Sequence, residues 1–156
     1  MSLLNESVRE AARRSVLCWL ATVDGDGQPN VSPKEIWAIA DDAHVVVAHI
    51  ASPVSALNIG QQPLVCLSFV DVFVQKGFKL KGVAHEVCAD DPAFARWAAP
   101  LLAMVGQRFV IRSVLVIRVT SVAPILAPSY RFYPEETIEA LQVDAAMRAY
   151  GVQPRA

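Results

Sequence analysis

Hydrophobic and polar positions along this chain follow two rhythms. From Leu3 to Ser15, Leu4, Val8, Ala11 and Ala12 recur at helical spacing, which predicts an amphipathic helix. VLCWLATV at 16–23 then has the β-branched and aromatic content of a strand. DGDG at 24–27 supplies the glycines of a tight turn. QPNVSPKEIWAIA at 28–40 predicts a second strand, with Pro33 requiring an edge or a bulge. HVVVAHI at 44–50 predicts a third.

Ser52 and Pro53 mark a helix start, serine at the cap and proline at the first helical position, and this helix ends near Gly60. PLVCLSFVDVFV at 63–74 and GFKLKGVAHEV at 77–87 predict two antiparallel neighbours. Asp91 and Pro92 open a further helix running to Val105, and FVIRSVLVIRVTSVAPI at 109–125 predicts a long strand whose pattern breaks at Ser121. A last helix, 134–150, starts on proline and acidic residues and stops at Gly151. About six strands joined by tight turns close best as a small antiparallel barrel with helices outside it. The fold class expected is α+β, in a single domain over 1–156. No G-x-G-x-x-G follows a strand, so a dinucleotide site of that type has no support.

Composition adds a partner. Hydrophobic residues make up 54% and charged residues 19%, an apolar balance that favours burying surface in a symmetric homodimer. The net charge of −1 argues against a general nucleic-acid binder. No apolar run is long enough to span a membrane, and the first residues lack the form of a secretory signal. Cys18, Cys66 and Cys88 are scattered in apolar runs, which fits buried thiols in a reducing cytoplasm and no metal site.

Candidate chemistry begins with VFVQKGFKLKG at 72–82. Strand alternation puts Lys79 and Lys81 on one face, about 7 Å apart, with Lys76 set apart before the glycine. The pair suits either a solvated face or an anion. A second anion feature is the helix start at Ser52 and Ser55, whose free amides and hydroxyls suit a phosphate and equally an ordinary cap. Ser32 and Lys34 share strand parity; Lys34 beside Glu35 reads as a surface ion pair or as a group against a ligand ring. His49 closes the third strand just before that helix. No nucleophile motif and no carboxylate pair stands out.

The segments CWLATVDGDGQPNVSPKE, HVVVAHIASPVSALNI and VQKGFKLKGVAHEV together resemble the flavin-binding split-barrel family related to pyridoxamine 5′-phosphate oxidase, over about residues 5–90. The resemblance implies a homodimer of six-stranded split barrels with one FMN at each of two interface sites. By motif it implies Asn30, Val31, Ser32, Pro33 and Lys34 along the flavin ring or ribityl chain. Ala48, His49, Ser52 and Ser55 follow along the ribityl and phosphate, and Gln75, Lys76, Lys79 and Lys81 supply a polar, cationic side. Ala51 and Gln75 stand where similar proteins often carry arginine, which removes charge from the phosphate site. The implied activity is an FMN-dependent oxidoreductase acting on a small molecule. The alternatives are a flavin-binding sensor or carrier, or the same barrel holding deazaflavin or haem. An oligonucleotide-binding barrel is a further reading, marked by steep salt dependence.

Overall fold

A computed structural model of the chain describes residues 2–106 and 109–154. Its elements in chain order are α1 (Glu6–Arg14), β1 (Cys18–Val23), β2 (Pro29–Lys34), β3 (Trp37–Ile39), β4 (His44–His49), α2 (Pro53–Gln61), β5 (Leu64–Asp71), β6 (Lys76–Cys88), α3 (Phe94–Val105), β7 (Ser113–Leu126), α4 (Ser129–Phe132) and α5 (Glu139–Tyr150). All seven strands form one antiparallel sheet in the order β2-β1-β5-β6-β7-β4-β3.

That order places β2 and β3 at opposite edges, yet only residues 35 and 36 join them. Extended chain covers at most ~3.6 Å per residue, so Lys34 and Trp37 lie within roughly 11 Å. The sheet must therefore curl until its edges meet, and the fold is an α+β split barrel. The strand count is seven rather than six, because the expected strand 28–40 is two short ones that leave the sheet at one edge and re-enter at the other.

Alternation along β1, β5 and β6 fills the barrel. Cys18, Leu20, Val65, Leu67, Phe69 and Leu80 are buried in one cluster with Val45, Val47, Leu115 and Ile117. Full burial of each large side chain stabilises by ~1.5–3 kcal/mol. Val8 of α1 and Leu4 just before that helix add to this cluster, and Ile59 of α2 joins it. The other face of β4 and β7 carries a second cluster, where Val46, Val114 and Val116 meet Ala98, Leu101 and Val105 of α3.

The break expected at Ser121 is a bulge on β7. The register steps from Lys81 opposite Ser121 to Gly82 opposite Val119, so Thr120 is the extra residue. Its hydroxyl donates to the Lys81 carbonyl at 3.2 Å. The bulge brings the Arg118 carbonyl so close to Gly82 that a Cβ there would sit 2.5 Å from it.

Other boundaries shift for local reasons. β5 ends at Asp71, and residues 72–75 form the turn into β6. The Asp71 carboxylate accepts from the amides of Phe73 and Val74, and Gln75 takes a left-handed φ of 57°. The Asp91 carboxylate accepts from the Ala93 amide, so α3 starts at Phe94. The 109–125 strand begins only at Ser113, and the last helix starts at Glu139, after the short α4. Among the described residues no helix is long and apolar enough to cross a membrane.

Candidate functional site

β2 is regular despite Pro33. Asn30, Ser32 and Lys34 turn inward, while Pro29, Val31 and Pro33 are exposed. α2 follows β4 directly and lies against β1, β2 and β6. Its buried side binds it to this wall: the Ser55 and Ser32 hydroxyls are 3.0 Å apart, and the Asn58 amide donates to the Thr22 hydroxyl at 3.0 Å. Ser55, Asn58 and Thr22 are all buried. Asn58 and Thr22 had no sequence signal, since a buried polar pair becomes visible only when two distant elements meet.

The start of α2 is under-satisfied. Ser52 occupies the cap position with φ −120° and ψ 70°, and its side chain makes no capping bond. No hydrogen bond reaches the amides of Val54, Ser55 or Ala56 from outside the helix among the described residues. Pro53 at the first helical position removes a donor that would otherwise be orphaned. This differs from the capped start expected of serine and leaves the first-turn amides without a side-chain cap.

Two further groups near β2 and α2 lack partners. Nδ1 of His49 is buried without a hydrogen bond. Opposite it on β7, Ser113 is buried and donates to Glu86 at 2.5 Å. Neither Ser113 nor Glu86 stood out in the sequence. Lys34 is only 5% exposed. Among the described residues no carboxylate pairs with it, so the expected surface pair with Glu35 does not form. Burial lowers its pKa, and the Cys18 thiol beside it opposes that shift. Burial pushes the Cys18 thiol up to about 12, against the pull of Lys34.

The remaining predicted residues lie elsewhere. Lys79 and Lys81 are both exposed on the outer face of β6, opposite Ser68 and Cys66 of β5. Trp19, Val31 and Leu64 are also exposed on that outer face. Within one chain the lysine pair and the α2 start are therefore on different faces of the sheet. Lys76 is engaged by the C-terminal segment: its amine lies 2.6 Å from Glu139 and 4.3 Å from the Tyr130 ring centre. The hydrogen bond and charge of Lys76 hold the Glu139 carboxyl low. Tyr130 donates to the Val74 carbonyl at 2.9 Å, beside Gln75. Ala48 faces the α3 layer. Among the described residues no group of three His, Cys, Asp or Glu side chains is placed to hold a metal.

A curled antiparallel sheet, split between β2 and β3 and flanked by an uncapped helix, defines the split-barrel class. The chain belongs to the pyridoxamine 5′-phosphate oxidase family, whose model matches residues 4–125. Solved structures agree on the fold. One assigned as a pyridoxamine 5′-phosphate oxidase from Lactobacillus delbrueckii is 24% identical, with 79% of this chain and 95% of that one covered at a TM-score of 0.66. An FMN-binding protein from Syntrophomonas wolfei is 15% identical, with 80% and 87% covered at 0.67. HutZ, the haem storage protein from Vibrio cholerae, is 18% identical, with 81% and 95% covered at 0.63. No curated protein sequence matches the chain.

Proposed function

We propose that this protein is an FMN-binding flavoprotein and an oxidoreductase acting on a small molecule, working as a cytoplasmic homodimer with cofactor sites along the subunit interface. The observation that carries this reading is the set of unsatisfied polar groups around the start of α2. Three open amides and the Ser52 hydroxyl suit a phosphate monoester, and the family membership makes a flavin phosphate the natural candidate. Ser52 and Ser55 would hold the phosphate, His49 the chain, and the inward-facing Asn30 and Ser32 the ring, whereas Val31 and Pro33 face outward and Ala48 faces α3, so within one chain these three lie off the site. Gln75 and Lys76 would border the far side.

Bound FMN supplies hydride chemistry, and the protein supplies placement and charge. Lys34 is the residue for the ring's N1–C2 carbonyl edge. A buried, unpaired amine keeps its proton better beside an anion, so Lys34 would hold negative charge there. Ser113, opposite His49 on β7, is held by Glu86, and the unpartnered Nδ1 of His49 is left for a polar group of the ligand. Lys79 and Lys81 enter through the dimer. Packing the outer face, with exposed Trp19, Val31 and Leu64, against a second copy would bring one subunit's lysines toward the other's α2.

The test is an absorption spectrum of concentrated pure protein, followed by FMN titration of the apoprotein. A spectral shift or quenched fluorescence at tens of micromolar, about −6 kcal/mol, is expected. No change at that concentration refutes the reading. A haem band instead would place the chain functionally beside HutZ. Binding without turnover of a reduced nicotinamide and a generic acceptor would make it a carrier or sensor.

A further inference from the structure

The two free edges of the sheet are built differently. On β2, the bond from the Asp24 amide to the Gln28 carbonyl fixes which residues face β1. By alternation Asn30, Ser32 and Lys34 bond into the sheet, and Pro29, Val31 and Pro33 present their backbones to the open side. Two of those three have no N–H, so this edge cannot template another strand.

On β3, the Ala48 amide bonds the Ile36 carbonyl and the Ala40 amide bonds the His44 carbonyl, both at 2.9 Å. Positions 36, 38 and 40 therefore face β4, and Trp37 and Ile39 turn their N–H and C=O outward. No hydrogen bond to these four groups arises among the described residues. Trp37 is only 5% exposed, so its open groups lie in a poorly solvated place. An unmade bond there costs ~1–3 kcal/mol per group.

A cavity of about 520 Å³ opens along this edge. Residues of both sheet faces line it, Ile36 and Ala38 from one and Trp37 and Ile39 from the other, with Val16 and Met104 as apolar walls. Arg9, Arg13 and Glu35 are the charged residues of the lining, Arg9 paired with Asp42 and Arg13 with Glu6.

We propose that β3 is a strand-addition site for an extended apolar peptide segment of a partner protein. Two donor–acceptor pairs, on residues two apart and so ~7 Å from each other, match the repeat of another extended backbone. A small ligand with a single amide would satisfy one pair and strand the other. The cavity on both faces receives the alternating side chains, and a lining with two arginines, Arg9 and Arg13, against one carboxylate, Glu35, favours an acidic residue among them. The site is separate from the α2 start and does not depend on FMN.

The test uses the full-length protein and the blocked peptide Ac-Val-Asp-Val-Asp-Val-NH2, read by amide hydrogen exchange. In the free protein, the Trp37 and Ile39 amides should exchange at least tenfold faster than that of Ala38, which bonds into β4. About 1 mM peptide should protect both by tenfold or more, and the same peptide N-methylated at alternate amides should protect neither. Val16→Glu, at a position 72% exposed and on the cavity wall, should weaken binding about tenfold. Ile39→Pro should abolish it by giving β3 the edge chemistry of β2. Equal protection of Trp37, Ile39 and Ala38 without peptide would show the edge already covered and overturn the proposal. So would no protection by the peptide. Equal binding of the N-methylated peptide would reduce the site to an apolar cavity.

Discussion

Lys34→Met isolates what a buried amine costs this barrel. Methionine keeps the length and apolar stem of lysine and removes the charge. Lys34 is 5% exposed, with no carboxylate partner among the described residues. An apolar side chain of similar size removes the desolvation cost of the charge, and buried ion pairs replaced in this way give changes from neutral to ~1–4 kcal/mol stabilising. The lower part of that range, about 1–2 kcal/mol, suits a residue at the end of an edge strand, where the amine is partly relieved. For a chain of this size, that raises Tm by roughly 3–6 °C.

The pH dependence supplies the sign check. Burial lowers the folded pKa of Lys34 below the ordinary 10.5, so between the two values the unfolded chain binds more protons. Wild-type stability therefore rises with pH through that window, and the cost is fully present below the folded value. Urea unfolding of the apoprotein, at neutral pH and near the ordinary lysine pKa, should show the variant more stable at the first and the gap closing at the second. FMN affinity should fall about tenfold, ~1.4 kcal/mol, as the ring loses its counter-charge. A variant destabilised by more than about 1 kcal/mol at neutral pH, with unchanged FMN affinity, would make Lys34 a structural residue and refute the reasoning.

Gly77→Ala should destabilise by about 3 kcal/mol or prevent folding, since its Cβ would lie 2.0 Å from the Phe69 carbonyl oxygen; chemical denaturation measures this. Thr22→Val leaves the buried Asn58 amide without its acceptor and should cost about 1–3 kcal/mol in the same assay. A thiol reagent at pH 8 should label exposed Cys88 in the native protein and Cys18 only on unfolding, because burial pushes the Cys18 thiol up to about 12. The Asp41 carboxyl is raised by burial but held below its ordinary 3.8 overall by the Ala43 amide and the His44 ring. Its stabilisation is present above 3.8 and is lost as pH falls through the folded value, so Asp41→Asn should flatten the acid limb of an unfolding curve.

Local signals carried much of this fold. Ser52–Pro53 marked α2 because the first helical turn has no use for the proline's missing amide. The interrupted pattern at Ser121 marked the β7 bulge because one extra residue flips the facing of every residue after it. The break at Glu35–Ile36 left no trace, since the chain there stays strand-like on both sides and the change of edge is imposed by barrel closure. The turn at 72–75 was hidden by Val72, Phe73 and Val74, which read as strand while the Asp71 side chain bends them. Among candidate site residues, parity paired Lys79 with Lys81 and Ser32 with Lys34. It could not show that these pairs face opposite sides of one sheet. The orphaned Nδ1 of His49 and the uncapped amides of α2 are absences of partners, which only an assembled chain displays.

The two-residue link at Glu35 and Ile36 also sets how the barrel can deform. Elsewhere the circumference is held by ladders of hydrogen bonds, and adding a residue slips a register and turns side chains inside out. At the link, β2 and β3 share no ladder among the described residues, so the hoop is fastened there by covalent chain alone. Lengthening that clasp would widen the girth without unpairing a strand. Variation at these two positions can therefore resize the interior beside Lys34 and Trp37, one amino acid at a time, while the rest of the wall keeps its register.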